Sequence, residues 1–209
     1  EGSYFLEEGR DVLIEEFGRD YTNYFSVLSL IASSKTSRGD IESTLNMPVG
    51  GYLDKLENEY NLIRRTRPFM AKEGSRNNKY KIEDNFLRFW FRFVYKYRSA
   101  VEIGNLDYVR EIVERDYETF SGNVLEKYFR VCLAESKEYS DVQGYWDRKG
   151  ENEIDIVAVN DFEKRMLIGE VKRNEARINL HILENKAVAI ARQYGDYQIE
   201  YRGFSLKDM

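Results

Sequence analysis

The sequence of 209 residues predicts an α+β or α/β protein in which a helical first half is followed by an α/β second half. Three observations support this prediction. Apolar residues recur with helical spacing from Tyr24 to Ala32, a basic stretch separates two short apolar runs near residues 62–82, and two alternating runs occupy residues 150–159 and 166–172. With 42% apolar residues, the chain can bury a core in each half.

The composition excludes several classes of protein and of site. The longest apolar run, Tyr24 to Ala32, is interrupted by serines and is far shorter than the roughly 20 residues that cross a bilayer, and no basic-then-apolar leader opens the chain. We therefore expect no membrane partner and a cytoplasmic location. Cys132 and His181 are the single residues of their types, which excludes metal sites built from His and Cys. The chain begins at Glu1 without a methionine, so we expect a fragment that lacks an upstream segment.

The net charge of −5 conceals a basic segment. Residues 61–100 carry 11 basic and 3 acidic side chains, whereas residues 1–60 and 101–209 are both acidic. Two interpretations stay open, a solvated loop and a hairpin that contacts phosphates. Seven of the basic side chains crowd into eighteen residues, and these are Arg64, Arg65, Arg67, Lys72, Arg76, Lys79 and Lys81.

The first half has the element order of a winged helix. After the helix that contains Tyr24 to Ala32, a capping box at Ser37–Asp40 predicts a second helix over residues 40–45, and a third helix is predicted over residues 49–59. Two short strands, at residues 62–65 and 80–82, then enclose the basic hairpin. Three helices followed by a two-stranded wing is the winged helix-turn-helix plan.

The third predicted helix disfavours insertion into a DNA groove, because Asp54, Glu57 and Glu59 outweigh Lys55. If the domain contacts DNA, we expect the wing to do so through phosphates. The residues expected to bind nucleic acid are Arg64, Arg65, Arg67, Lys72, Arg76 and Lys79. Docking of a protein on this domain is the alternative. The aromatic run from Asp84 to Tyr97 predicts a core helix that joins two domains rather than a base-stacking platform.

The second half brings two acids and a lysine together. If the turn of the predicted hairpin lies near Phe162, residues whose numbers sum to about 325 face each other, which places Asp155 opposite Glu170 and Lys172 on the face of Glu170. Two adjacent carboxylates repel unless a divalent cation lies between them, and Mg²⁺ prefers oxygen ligands. Glu126, on a helix predicted over residues 117–134, is a candidate third acid.

The order Glu126, Asp155, Glu170-Val171-Lys172 resembles the PD-(D/E)XK nuclease superfamily. The resemblance implies a restriction-endonuclease-like α/β domain with a central mixed sheet. It also implies that Asp155, Glu170 and the Val171 carbonyl hold Mg²⁺ or Mn²⁺, that Lys172 positions the water, and that Glu126 holds an outer water or a second metal. A surface hairpin with an exposed Glu-Lys pair is the alternative.

The whole chain resembles the C-terminal region of archaeal-type ATPases of the AAA/STAND kind. The resemblance is carried by residues 24–32, 52–56, 64–68, 80–90 and 146–155. It implies four segments: residues 1–22 as the terminal helix of a missing P-loop ATPase module, 23–83 as a winged helix-turn-helix, 84–112 as a helical connector and 113–209 as a nuclease-like domain. No Gly-x-x-x-x-Gly-Lys-Ser/Thr occurs, so we expect ATP to bind only through the missing module.

Two functions follow from these resemblances. In the first, this C-terminal fragment carries a Mg²⁺-dependent nuclease domain that acts on DNA phosphodiesters. In the second, the nuclease-like domain is a catalytically silent scaffold that binds DNA or a protein and regulates the ATPase. The expected partners are DNA, the chain's own ATPase module and a second copy of the chain. Whether the chain is an enzyme stays open between the two.

Overall fold

The computed structural model describes residues 2–148 and 150–209, which form two compact units. Of these described residues, those up to Arg67 together with Gly74–Arg115 form the first unit, and Pro68–Glu73 together with those from Asp116 onward form the second. Two residues from the predicted segments, Glu1 and Lys149, lie outside the described part of the chain.

The first unit consists of helices and one hairpin. Its aromatic core includes Phe25, Trp90 and Phe91, and helix α1 contributes Leu13 and Phe17 to the same core. The elements are α1 (Gly2–Phe17), α2 (Tyr21–Ala32), α3 (Arg38–Leu45), α4 (Gly50–Asn58), β1 (Ile63–Thr66), β2 (Lys79–Ile82), α5 (Asn85–Phe89), a π-helix (Trp90–Tyr95), α6 (Arg98–Glu102) and the start of α7 (Leu106–Glu135).

Local signals place α3 and α4 close to their predicted positions. The Ser37 side chain accepts a hydrogen bond from the Asp40 N–H at 3.1 Å, so α3 begins at Arg38, two residues before the predicted start. The predicted third helix over residues 49–59 is α4. The predicted strands over residues 62–65 and 80–82 are β1 and β2.

The aromatic run from Asp84 to Tyr97 differs from its prediction, because it does not form one continuous α-helix. Helix α5 gives way to a π-helix at Trp90. A π-helix places an additional residue in each turn, and here Trp90, Phe91 and Phe93 are all buried. Their burial confirms that the run belongs to a core.

The second unit is built on a mixed four-stranded sheet with the order β3-β4-β5-β6. Strands β3 (Asp141–Trp146), β4 (Glu153–Asn160) and β5 (Arg165–Val171) are antiparallel neighbours. Helix α8 (Leu180–Gln193) then leads to β6 (Gln198–Phe204), which lies parallel to β5. The helix predicted over residues 117–134 is part of the longer α7, so the boundary between the units falls inside a helix.

Each face of the sheet is covered by a helix. On one face, Leu125 and Phe129 of α7 pack in a cluster that includes Ile156, Leu167 and Phe204. On the other face, apolar residues of α8 pack with β4 and β5, and this cluster consists of Phe69, Ile154, Val157, Val159, Met166, Ile168, Leu183, Ala187 and Ile190. The sheet is therefore buried on both sides.

Residues from the middle of the predicted wing protect the edge of this sheet. The segment Pro68–Glu73 belongs to the second unit, and the Phe69 N–H donates a hydrogen bond to the Gly144 carbonyl at 2.8 Å. The Phe69 ring lies 5.6 Å from the Tyr194 ring, centroid to centroid. Because β3 is an edge strand, this segment covers backbone groups that would otherwise be exposed.

The register between β4 and β5 is the one that the sequence predicts. Ile156 pairs with Gly169 and Asn160 with Arg165, and both pairs of numbers sum to 325. Lys172 follows the last residue of β5.

The pairing of β3 with β4 contains a bulge, which the alternation of the sequence does not predict. Gln143 pairs with Val157 and Tyr145 pairs with Ile154, so Gly144 alone faces both Asp155 and Ile156. The extra residue changes the alternation of faces along β4. Ile154 and Val157 both belong to the α8 side, although three positions along a regular strand would place them on opposite sides.

Among residues 2–148 and 150–209, no helix combines the length and the apolar character that crossing a bilayer requires.

We predict that Gly169→Ala destabilises the second unit by about 1–3 kcal/mol, because the new Cβ would lie 2.9 Å from Phe204 Cε2 and 3.1 Å from Ile156 Cβ. Urea denaturation measures this change. Gly122→Ala is the matched control, since no atom lies within 4 Å of its added Cβ in helix α7, and it should stabilise the protein by about 0.5–1 kcal/mol. Equal stability of wild type and Gly169→Ala would contradict the packing described.

Candidate functional site

A cavity of about 250 Å³ lies in the second unit and is lined mainly by polar side chains. Four elements supply this lining. Helix α7 contributes Asn123 and Glu126, β4 contributes Glu153 and Asp155, β5 and the residue after it contribute Glu170 and Lys172, and α8 contributes Lys186. The structure therefore brings the four predicted catalytic residues to one cavity.

Asp155 occupies the bulge in β4, and its side chain is 16% exposed. Its Oδ2 accepts a hydrogen bond from the Val171 N–H at 2.8 Å and lies 3.8 Å from the Lys172 Nζ. Burial raises the pKa of the Asp155 carboxyl, and the Val171 N–H and the Lys172 ammonium oppose this shift. The carboxylate is thus held in a partly desolvated position that favours a compensating cation.

Glu170 is held in a similar way. Its side chain is only 9% exposed, its Oε2 accepts the Asn179 N–H at 3.1 Å, and its Oε1 lies 3.2 Å from the Lys172 Nζ. One oxygen of each carboxylate is therefore fixed by a backbone N–H, while Lys172 lies near both acids. The Lys172 side chain is 38% exposed, so its ammonium group also reaches solvent.

The Val171 carbonyl points to the same side as Asp155. The Lys172 N–H donates to the Phe204 carbonyl of β6 at 2.9 Å, whereas the Val171 N–H donates to Asp155. Because the N–H and the C=O of one strand residue point in the same direction, the Val171 carbonyl faces away from β6. It therefore faces the side on which Asp155 lies, and a carbonyl there is a neutral oxygen donor.

Glu126 lines the cavity from helix α7, with its Oε2 3.4 Å from the Arg130 Nη2. In the described part of the chain, no three His, Cys, Asp or Glu side chains lie together in a group that could hold a metal ion. Glu126 lines the same cavity as Asp155 and Glu170.

Arg130 contacts the site although the sequence analysis does not predict it as a site residue. Its Nη1 donates a hydrogen bond to the Asp155 backbone carbonyl at 3.1 Å. The available signal was its spacing from Glu126, because residues four apart on a helix are neighbours. The sequence contains only a weak signal for Lys186, which lines the cavity from α8.

In the hairpin of β1 and β2, the predicted nucleic-acid-binding residues lie on two opposite faces. Arg64 pairs with Lys81 and Thr66 with Lys79, which places these basic side chains on one face. Arg65 pairs with Tyr80 on the opposite face. Arg65 also contacts Glu57 of α4, because its N–H donates to Oε1 at 3.0 Å and its Nε lies 3.6 Å from Oε2.

This arrangement separates Arg65 from Arg64 and Lys79. Arg65 lies on the face of the hairpin that also carries its buried cross-strand partner, Tyr80. Arg64, Arg65, Arg67 and Arg76 are all exposed in the first unit. Lys72 is also exposed, but it belongs to the segment that packs with the second unit. Within the hairpin, Arg64 and Lys79 thus share a face on which Arg65 does not lie.

Part of the chain is similar to a family of proteins of unknown function. The family model DUF234, described as archaeal and bacterial proteins of unknown function, matches residues 90–188, which include the cavity residues named above. An uncharacterized protein of Methanocaldococcus jannaschii is 32% identical over 176 residues, which cover 80% of this chain and 39% of the relative. The chain therefore spans well under half the length of this curated relative. No solved structure matches the chain.

We predict that Lys172→Met lowers the free energy of unfolding by about 1 kcal/mol at neutral pH, because it leaves two poorly exposed carboxylates without their shared cation. The difference should shrink in acid, where protonation removes the charges that Lys172 offsets. Urea denaturation at several pH values measures it. Lys207→Met, which removes an exposed ion pair with Glu175, is the control and should change stability less. A loss for Lys172→Met that does not depend on pH would rule out this electrostatic origin.

Proposed function

We propose that the chain is the C-terminal part of a P-loop ATPase, in which a winged helix precedes a restriction-endonuclease-like domain with a Mg²⁺- or Mn²⁺-dependent nuclease site. The observation that carries the proposal is the convergence of Asp155, Glu170 and Lys172 on adjacent strands at one cavity. The proposed fold assignments rest on element order, which matches three helices and a wing in the first unit and a helix-flanked mixed sheet in the second.

The donor set suits a hard divalent cation. Asp155, Glu170 and the Val171 carbonyl offer oxygen atoms, which Mg²⁺ and Mn²⁺ accept, and backbone N–H groups already orient both carboxylates. Two negative charges in a partly buried position also favour a cation over a neutral ligand. When bound, the cation would supply Lewis-acid polarisation of a phosphoryl oxygen.

The chain's own residues would carry the other parts of the reaction. Asp155 and Glu170 hold the site's geometry through their backbone hydrogen bonds. Lys172, whose ammonium group lies near both acids and reaches solvent, would orient the attacking water and offset negative charge that develops on the phosphate. Lys186 of α8 adds a positive charge to the lining of the cavity.

Electrostatics sets a condition on the substrate. Residues 101–209 carry 16 basic and 22 acidic side chains, so the field around the site repels a polyanion. At physiological salt, fields fade within about 8 Å, and only positive groups close to the path of the nucleic acid help to hold it. We therefore propose that the fragment cuts slowly by itself and that the complete protein, with its ATPase module, cuts faster.

The metal part of the proposal predicts Mn²⁺ binding that Asp155→Asn abolishes, measured by isothermal titration calorimetry. Asparagine keeps an oxygen that can accept the Val171 N–H but removes the charge that the cation needs. Asp161→Asn is the matched control, because it makes the same change in the same unit at the hairpin turn, where Asp161 contacts Ser140 and Tyr197. The control should bind Mn²⁺ as wild type does.

Cleavage of branched and single-stranded DNA with Mg²⁺ or Mn²⁺ then tests catalysis. Lys172→Ala should lower the cleavage rate by roughly 100-fold or more while Mn²⁺ binding persists, because its charge acts on the transition state. Mn²⁺ binding without cleavage by either the fragment or the complete protein would favour the silent scaffold. Absence of Mn²⁺ binding to wild type would overturn the nuclease site.

We also propose that the exposed face of the first hairpin contacts nucleic acid through phosphates, since Arg64 lies on the same face as Lys79 and Lys81. The double variant Arg64→Ala with Arg67→Ala should weaken binding to unrelated duplexes alike and reduce the salt dependence of log affinity by about 2. Fluorescence anisotropy measures both effects. Arg65→Ala should change affinity less, because Arg65 contacts Glu57. A strong preference for one DNA sequence would contradict contact through phosphates alone.

A further inference from the structure

We infer that Arg130 is a positioning residue that holds Asp155 in place. The absence of a side chain at Gly144 leaves the space that the Arg130 guanidinium group occupies. The inference extends the proposed function, because it names the contact that sets the orientation of a proposed metal ligand. Arg130 lies on α7, Gly144 on β3 and Asp155 on β4, so three elements meet at this contact.

The bulge creates the acceptor that Arg130 uses. Two residues of β4, Asp155 and Ile156, lie opposite the single residue Gly144 of β3. One of the two therefore has no regular hydrogen-bonding partner on β3. The Arg130 Nη1 donates to the Asp155 carbonyl at 3.1 Å. A backbone carbonyl inside a sheet that lost this partner would be left unsatisfied, which destabilises the local structure.

The same guanidinium group also contacts Glu126, which lines the cavity. Its Nη2 donates to the Glu126 Oε2 at 3.4 Å, and the Arg130 side chain is only 19% exposed. A planar guanidinium presents several donors in a fixed arrangement, so it can join the main chain at Asp155 to the Glu126 carboxylate. The acid from α7 and the acid from β4 are thereby held relative to each other.

Gly144 supplies the space that this contact needs. A Cβ at position 144 would lie 2.8 Å from the Arg130 Nη1 and 3.5 Å from the Asp155 carbonyl oxygen. The backbone at Gly144 is not left-handed, so the reason for a glycine here is space rather than conformation. A Cβ at this position would force the Arg130 guanidinium group to shift from the place that it occupies beside the carbonyl.

The positioning can be measured without metal, through the Val171 amide that donates to Asp155 Oδ2. If Arg130 holds the bulge, Arg130→Met and Gly144→Ala should each accelerate hydrogen exchange of the Val171 amide roughly tenfold, as followed by NMR. The Leu167 amide of the same strand should keep its rate. Arg130→Lys should rescue part of the protection, because one ammonium group can replace one of the two contacts.

Two comparisons separate positioning from a general loss of stability. Arg165→Met removes a surface ion pair with Glu163 in the same unit and should leave the Val171 exchange rate unchanged. The double variant Arg130→Met with Gly144→Ala should exchange no faster than either single variant, because both changes break one contact. Additive effects of the two substitutions would overturn the role assigned to Gly144.

A Mn²⁺ titration of the same variants distinguishes this inference from the proposed function. Where wild type binds Mn²⁺, Arg130→Met and Gly144→Ala should weaken binding by about 10–100-fold, while Arg165→Met should not. Unchanged Val171 exchange in both variants would overturn the positioning role even if wild type binds the metal. Wild type that fails to bind Mn²⁺ would overturn the proposed metal site, and the Val171 exchange rates would still decide whether Arg130 holds Asp155.

Discussion

The extra residue in β4 is the constraint on which the candidate site depends. In a regular strand, Asp155 would share a face with Val157 and Val159, which pack in the cluster beneath α8. The bulge opposite Gly144 releases Asp155 from this alternation. Its carboxylate is then free to accept the Val171 N–H, while its carbonyl accepts a hydrogen bond from Arg130. Bulges commonly aim a side chain in this way beside functional sites.

Hydrogen bonds and one shared lysine offset the charges of the site only in part. Two poorly exposed carboxylates would repel each other, yet each accepts a backbone N–H and both lie near the Lys172 ammonium. Burial nevertheless raises the pKa of Asp155, which shows that these contacts do not compensate it fully. An additional cation would lower the electrostatic free energy further. This shortfall in positive charge links the packing of the sheet to the proposed chemistry.

In the first unit, strand register rather than composition decides which basic residues are available to a partner. Arg64 and Arg65 are adjacent in sequence, but the alternation of β1 places Arg65 beside Glu57 and Arg64 beside Lys81. The cluster of basic residues in the sequence thus divides into different surroundings. Lys72 belongs to the second unit, in which its segment packs with the sheet. The number of basic residues in this segment of the sequence is therefore larger than the number that share one face of the hairpin.

The sequence by itself determined what depends on neighbours along the chain. The Ser37 cap follows from a three-residue spacing, and the β4–β5 register follows from the two-residue alternation on either side of one short turn. Only the tertiary structure decided the bulge at Asp155, the contact of Arg130 through the space above Gly144, and the position of Phe69 on the sheet edge. Each of these joins residues more than ten positions apart, and no local pattern records which distant atoms will lie within hydrogen-bonding distance.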